Sequence, residues 1–216
     1  MDLEQELRRT LVRAGRDLYR QGMMAGAAGN LSARLDAERI IITPSGAAKG
    51  RLRPQDLLII DPEGRLREGS GRPSAETAMH TAIYRALPAV GAIVHAHPVK
   101  ASAMAAAHRP IPVDTLPEAL FALGDIATVP FIPSATPELG VAAAAALQDA
   151  DGALLLNHGA ITVGRTVEAA RMKMEILESL AETAIYVHQL GGGVNLPESE
   201  VARLRGIWRA RRFGGS

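Results

Sequence analysis

The stretch RPSAETAMHTAIYRALPAVGAIVHAHPVKASAMA, residues 72–105, contains the helix–strand–helix pattern that decides the fold. Residues 74–87 have helical spacing, with Ser74 as the expected N-cap. Residues 89–97 form an apolar run typical of a strand, and the small residues of 101–108 favour a second helix. A buried strand between two helices indicates a mixed α/β domain.

The same alternation of helices and strands continues on both sides of this stretch. No repeat, linker or low-complexity segment interrupts it, so we predict a single α/β domain over residues 1–216. A turn of small residues, GAAGNLS, is expected at 26–32. Further helices are predicted within 3–20, 138–148, 166–190 and 197–212, and single or paired strands within 39–46, 56–66, 127–133 and 152–164.

Composition restricts the kinds of site and partner. The 216 residues include 47% hydrophobic residues, enough for a core, and carry a formal net charge of +1, which argues against nucleic acid as a partner. The arginines of VARLRGIWRARRF (201–213) are therefore interpreted as a solvated helix face. There is no cysteine, so a metal would be bound by His, Asp or Glu.

Nothing in the sequence predicts contact with a membrane. The charged segment 1–22 lacks the apolar core of a signal peptide. The apolar tract VAAAAAL (141–147) is too short to span a bilayer. We therefore expect a cytoplasmic protein.

Two histidines in IVHAHPV (93–99) interrupt an otherwise apolar segment. On a strand, His95 and His97 project from the same face, close enough to share one ion. His158 lies in a second apolar run, LLLNHGAI. Neutral imidazoles are common zinc ligands, and three protein ligands with an open position are typical of a catalytic site. The spacing alone leaves open the alternative that each histidine only satisfies a local hydrogen bond.

The motifs GNLS, ITPSG, PSAE, HAH and NHG occur in this order between about Arg8 and Gly191. Together they resemble the class II aldolase/adducin family. The resemblance implies an αβα layered fold with a central, mostly antiparallel sheet, and a homotetramer with active sites at subunit interfaces. It also implies a divalent metal, usually zinc, with manganese or another divalent cation as an alternative.

The resemblance implies roles for particular residues. The metal ligands are expected to be His95, His97 and His158, with Glu76 as a labile ligand and catalytic acid/base. The alternative for Glu76 is a carboxylate that favours a helix N-terminus two residues after Ser74. The residues expected to bind the substrate phosphate are Gly29, Asn30, Ser45, Gly46 and Ser74.

Several positions depart from the fuculose-type members of the family. A hydroxyl residue expected before Glu76 is replaced by Ala75, and Lys49 could supply charge instead, although a solvated loop lysine is the simpler interpretation. Residues 111–120 contain no tyrosine to act as proton donor, and Phe213 stands where another tyrosine is expected. Glu118 follows His97 by 21 residues, about where the resemblance to the family's methylthioribulose-phosphate dehydratases implies a catalytic glutamate. It is therefore a candidate alternative acid/base, and its other interpretation is a helix-start carboxylate after Pro117.

The expected activity is that of a metal-dependent lyase. The primary hypothesis is cleavage of a ketose 1-phosphate to dihydroxyacetone phosphate and a small aldehyde. The substrate would resemble L-fuculose 1-phosphate, or 5-deoxy- or 5-(methylthio)-ribulose 1-phosphate. The same site could serve 3-oxo-tetronate 4-phosphate decarboxylation, methylthioribulose-1-phosphate dehydration or ribulose-5-phosphate 4-epimerisation. A non-enzymatic, adducin-like role is disfavoured, because all three histidine positions are intact.

Overall fold

An eight-stranded sheet lies at the centre of the computed structural model, which describes residues 2–213 apart from the side chain of Phe213. The expectation about Phe213, and the ends of the predicted domain at residues 1 and 214–216, lie outside the described part. The strand order is β4-β3-β2-β1-β5-β8-β7-β6. All neighbours are antiparallel except β6 and β7, which confirms the mostly antiparallel sheet. The strands are β1 (Asn30–Arg34), β2 (Ile40–Ile42), β3 (Leu58–Ile60), β4 (Leu66–Glu68), β5 (Ala92–Ala96), β6 (Ile126–Val129), β7 (Gly152–Leu155) and β8 (Gly159–Gly164).

Helices cover both faces of the sheet. Alternate strand residues point to opposite faces, so Val94 joins the core beneath α1, α3, α4 and α6, whereas Ile93 joins the core beneath α2 and α5. This arrangement confirms the predicted αβα layers. The helices are α1 (Leu3–Arg20), α2 (Thr77–Ala86), α3 (Val99–Ala106), α4 (Pro117–Leu123), α5 (Pro137–Ala146), α6 (Val167–Gln189) and α7 (Glu198–Phe213), with short 3-10 turns at Lys49–Arg51 and Pro54–Asp56.

Small residues let the helices on the second face approach closely. A Cβ atom at Gly140 of α5 would lie 2.8 Å from the carbonyl oxygen of Ala78 in α2. Such a distance is too short for an ordinary contact, so this crossing requires glycine. Close backbone packing explains how a chain with 3% aromatic residues fills its core.

Two local predictions were wrong. Helix α2 begins at Thr77 with Glu76 as its N-cap, two residues later than a Ser74 cap would require. The Ser74 hydroxyl accepts a hydrogen bond from the Glu76 N–H at 3.3 Å instead. The GAAGNLS segment is also not entirely a turn, because β1 begins at Asn30 and pairs with β5.

The arginines of α7 make contacts within the chain. Arg205 pairs with Asp125 at 2.7 Å, and Arg203 pairs with Glu200 at 2.7 Å. Arg212 contacts the buried Asp151 at 2.8 Å. In residues 2–213 no helix has both the length and the apolar character that crossing a membrane demands.

Candidate metal centre

Three strands position the histidines. His95 lies near the end of β5, directly opposite Asn30 of β1 and Ile161 of β8. His97 follows one residue after β5, and His158 lies in the turn between β7 and β8. One nitrogen atom from each of His95, His97 and His158 lies within 4.8 Å of the other two. The structure therefore brings together all three predicted metal ligands.

Glycines in the GN and HG motifs make room for these rings. Gly29 has a φ of 73°, and a Cβ atom there would lie 2.8 Å from the His95 carbonyl oxygen. A Cβ atom at Gly159 would lie 2.5 Å from Cδ2 of His97. Any larger residue at either position would displace the backbone or the imidazole. Both motifs thus have a structural reason for glycine at the site.

Several acceptor atoms converge on the space between the rings. The Nδ1–H of His95 donates to the Ala160 carbonyl at 2.9 Å, so in the neutral ring Nε2 carries a lone pair. This Nε2 lies 3.0 Å from Oε2 of Glu76 and 3.1 Å from Nε2 of His97. The lone pair of His95 Nε2 and the Glu76 carboxylate repel each other, and a cation between them removes this repulsion.

The donor set suits a divalent metal such as zinc. Tetrahedral zinc with nitrogen ligands brings those atoms to about 3.3 Å from one another, which is close to the 3.1 Å between His95 and His97. The hydrogen bond from His95 to a backbone carbonyl is the kind of outer contact that orients metal-bound imidazoles. The residues present therefore fit the metal that the sequence motifs imply.

Glu76 completes one side of the cluster. Its side chain is buried, and Oε1 lies 3.3 Å from Nε2 of His158 but has no hydrogen-bond partner within residues 2–213. Burial raises the pKa of the Glu76 carboxyl. His95, a hydrogen bond from the Asn30 amide, and His158 act in the opposite direction and bring that pKa well below its usual range. Glu76 is thus a carboxylate at neutral pH.

The histidines are held in the form that binds metals. Burial, reinforced by the neighbouring rings of His95 and His158, lowers the pKa of His97 to about 4. Burial and His95 also lower the pKa of His158. Both imidazoles are therefore neutral at pH 7, as metal coordination requires.

A buried chain of hydrogen bonds holds Glu76 from behind. The Asn30 amide donates to Oε2 of Glu76 at 2.8 Å and accepts from Nε2 of His80 at 2.5 Å. Burial lowers the pKa of the fully buried His80 to about 3, so its ring is neutral and Nδ1 accepts from Ser32 at 2.6 Å. The Ser32 hydroxyl in turn accepts from Tyr84 at 2.9 Å.

The donor and acceptor of each hydrogen bond in this series can be assigned. An amide oxygen can only accept, so His80 donates to Asn30 through Nε2. His80 Nδ1 then accepts from the Ser32 hydroxyl, which accepts from Tyr84. The sequence held one signal for this chain, since Glu76, His80 and Tyr84 recur every four residues on one helix face. The contributions of Asn30 and Ser32 could not be found this way, because they come from a different strand.

The predicted phosphate residues lie around the same cluster. An isolated bridge between Pro44 and Pro73, with the Ser45 N–H donating to the Arg72 carbonyl at 2.9 Å, holds the 44–46 loop beside Ser74. Ser45 and Gly46 are exposed, whereas Ser74 is buried. Gly29 and Asn30 lie at the start of β1, and the Asn30 side chain already contacts Glu76 and His80.

Two charged residues differ in their placement. Lys49 is not a solvated loop lysine as expected, because only 2% of its surface is exposed. Glu118 lies exposed in the first turn of α4, directly after Pro117. Across the described residues no hydrogen bond or ion pair joins Glu118 to the histidine cluster, so its role as an acid/base stays a prediction.

Comparison with known proteins adds independent information. The family model described as Class II Aldolase and Adducin N-terminal domain matches residues 9–185. A 5-methylthioribulose-1-phosphate/5-deoxyribulose-1-phosphate aldolase from Rhodospirillum rubrum is 37% identical over 92% of this chain and 89% of its own length. A methylthioribulose-1-phosphate dehydratase from Methylococcus capsulatus is 36% identical over 82% of this chain and 92% of its own length.

Solved structures share the fold. The crystal structure of YgbL from Escherichia coli has a TM-score of 0.89 at 28% identity, over 94% of this chain and 100% of that one. The relatives also include L-fuculose phosphate aldolases and a 3-oxo-tetronate 4-phosphate decarboxylase. The similar proteins thus act on phosphorylated small molecules by several different reactions.

Proposed function

Because the chain belongs to the class II aldolase and adducin family, we propose that it is a zinc-dependent aldolase for a ketose 1-phosphate. The observation that carries this proposal is the convergence of His95, His97, His158 and the Glu76 carboxylate on one point. Their nitrogen and oxygen donors suit zinc, with manganese as the alternative. Bound there, the ion would act as a Lewis acid for the substrate carbonyl and the charge that develops beside it.

Glu76 supplies the proton transfers that aldol cleavage requires. As a carboxylate at neutral pH, it can accept the proton of the C4 hydroxyl as the C3–C4 bond breaks. It can then return this proton to C3, which yields dihydroxyacetone phosphate and an aldehyde. One carboxylate balances both transfers, so the reaction needs no tyrosine from residues 111–120.

The preferred substrates are 5-(methylthio)ribulose and 5-deoxyribulose 1-phosphates. Residues 111–120, IPVDTLPEAL, offer no phenol for a polar aldehyde end, which favours an apolar C5 substituent over L-fuculose 1-phosphate. The aldolase of Rhodospirillum rubrum, 37% identical, is named for these two substrates. The phosphate would be bound by Gly29, Asn30, Ser45, Gly46 and Ser74.

We also propose a cytoplasmic homotetramer with active sites at subunit contacts. A partner subunit offers a route by which the exposed Glu118 could approach a neighbouring site. Glu118 and the dehydratase relative of Methylococcus capsulatus favour one second candidate reaction, the dehydration of methylthioribulose 1-phosphate. Dehydration removes water without breaking the carbon chain, so its product is distinct.

The proposal is tested by product analysis of the zinc-loaded protein. We expect dihydroxyacetone phosphate from 5-(methylthio)ribulose and 5-deoxyribulose 1-phosphates, and slower release from L-fuculose 1-phosphate. His97→Ala should abolish both zinc binding and release, whereas His188→Ala, at an exposed position on α6, should change neither. Loss of water from the methylthio substrate without cleavage would support the dehydratase instead. No reaction of any of these phosphates in zinc-loaded protein would overturn both.

A further inference from the structure

Lys49 is a buried cation with little compensation. Only 2% of its surface is exposed, and its ammonium group donates one hydrogen bond, to the Ala27 carbonyl at 2.6 Å. An ammonium group has three N–H donors. In the part of the chain described, no carboxylate lies within ion-pair distance of it, and two of its donors have no partner.

The surrounding backbone holds this side chain in place. The stem of Lys49 packs on α1 at Gly15, where an added Cβ would lie 3.4 Å from the Cβ of Lys49. The next residue, Gly50, packs so closely on Tyr19 that a Cβ there would lie 2.4 Å from its ring. The backbone at Lys49 and Gly50 therefore packs closely on α1, which holds the start of the lysine side chain in place.

Burying an unpaired ammonium group is costly, because it loses hydration without gaining a counter-ion. The cost is visible in its ionisation: burial lowers the pKa of Lys49 to about 8, although the Glu76 carboxylate opposes this shift. The lysine is still mostly charged at pH 7. A rigid, charged and incompletely bonded group of this kind indicates an anion that the chain itself does not supply.

The location of Lys49 indicates which anion. Its partner Ala27 belongs to the turn that leads into Gly29 and Asn30, and Lys49 itself follows the exposed Ser45–Gly46 loop. Lys49 is also within electrostatic reach of Glu76 and His97, since it affects the ionisation of His97. It thus lies at the edge of the metal centre, where the part of a substrate that does not react would be bound.

We propose that Lys49 is the cation that binds the phosphate group of the substrate, between the 26–30 turn and the 45–50 loop. This inference rests on the proposed function for the choice of a phosphorylated ligand. A phosphate dianion supplies both the missing charge and acceptors for the two remaining N–H groups. It also explains how the site compensates for Ala75, where a phosphate-binding hydroxyl was expected.

The test compares Lys49→Met and Lys49→Arg with Arg51→Met, an exposed cation two residues away in the same turn. Affinities of the zinc-loaded proteins for dihydroxyacetone phosphate and for dihydroxyacetone are measured by calorimetry. Lys49→Met should bind dihydroxyacetone phosphate about 10- to 100-fold more weakly. It should bind dihydroxyacetone and zinc as the unmodified protein does. Lys49→Arg should retain part of the affinity, and Arg51→Met should change it less than twofold.

Unchanged affinity for dihydroxyacetone phosphate in Lys49→Met would overturn the inference, as would an equal loss in Arg51→Met. The thermal unfolding midpoint separates binding from folding. Removing a costly buried charge should leave the midpoint of Lys49→Met unchanged or raise it. If Lys49→Met does not fold, the phosphate affinity of Lys49→Arg is compared with that of Arg51→Met instead. Should no ketose phosphate be cleaved while phosphate affinity still depends on Lys49, the proposed function fails and this inference stands. If instead the protein cleaves a ketose phosphate with a KM that does not change in Lys49→Met, the proposed function stands and this inference fails.

Discussion

A buried carboxylate lies at each end of the β7–β8 hairpin, and the two have opposite environments. At the open end, Asp151 accepts hydrogen bonds from Lys173 at 2.8 Å and from Trp208 at 3.0 Å, and pairs with Arg212 at 2.8 Å. At the turn, Nε2 of His158 lies 3.3 Å from the Glu76 carboxylate, and Nδ1 of His158 and Oε1 of Glu76 have no hydrogen-bond partner in the described part of the chain. One end is a complete set of donors and acceptors, whereas the donor atoms at the other end suit a cation.

This difference separates groups that stabilise the fold from groups that are available for chemistry. Asp151 connects β7 to α6 and α7, and its charge is balanced by Lys173 and Arg212. The cluster around Glu76 leaves buried atoms of Glu76 and His158 without hydrogen-bond partners among residues 2–213. Buried polar atoms are rarely left unpaired unless a ligand or ion completes them. Substitutions at the two ends should therefore have different consequences.

The largest expected effect is on turnover, in Glu76→Gln. The amide keeps the shape of the side chain but can neither accept nor return a proton. We expect kcat to fall by about 10²- to 10⁴-fold. Zinc content should stay near that of the unmodified protein, because three histidines remain. Steady-state kinetics and metal analysis check both points, and a kcat within tenfold of the original would exclude Glu76 as the acid/base.

The other end of the hairpin should respond in stability instead. Asp151→Asn leaves the partly buried charges of Lys173 and Arg212 without their carboxylate, which we expect to lower the unfolding free energy by about 3 kcal/mol. Turnover by the folded protein should change little. Asp149→Asn, on an exposed residue nearby, is the matched control and should cost less than about 0.5 kcal/mol. Urea unfolding measures all three proteins, and equal losses in both variants would remove the contrast between the two ends.

A smaller effect on turnover is expected from the chain behind Glu76. His80→Ala removes the group that fixes the Asn30 amide, and such supporting contacts are typically worth about 10- to 100-fold in activity. The loss should fall on kcat rather than on KM, since His80 does not contact the substrate-facing loops. His80→Gln restores a donor and should recover part of kcat. If His80 only stabilises the fold, kcat per folded protein should be the same in His80→Gln as in His80→Ala. Tyr84→Phe, at the far end of the chain, should lose less than His80→Ala.

Much of this arrangement could be predicted from local sequence pattern. Period-two spacing predicts that His95 and His97 project from the same face, and the structure brings both to the metal centre at the end of β5. The layered fold followed from the motifs as a set. The pattern could not show that Asn30 lies directly opposite His95, because strand register depends on contacts distant in sequence. Lys49 was misjudged for the same reason, since a polar loop gives no sign of the helix that covers it.

The smallest effect expected is a pH dependence that distinguishes two lysines. Lys173 donates to the Asp151 carboxylate and so has a counter-ion, whereas Lys49 donates only to the Ala27 carbonyl. The groups that act on the Lys49 ammonium are the Glu76 carboxylate, the neutral ring of His97 and the Ala27 carbonyl. With a pKa of about 8, free Lys49 loses its proton above that pH, and a bound phosphate must restore it. The affinity for dihydroxyacetone phosphate should therefore fall about twofold between pH 7 and 8, and about tenfold between pH 7 and 9. In Lys49→Arg the guanidinium stays charged, so this decline should disappear, while Lys173→Arg should retain it. An identical decline in all three proteins, measured by calorimetry across this range, would assign it to a group other than Lys49.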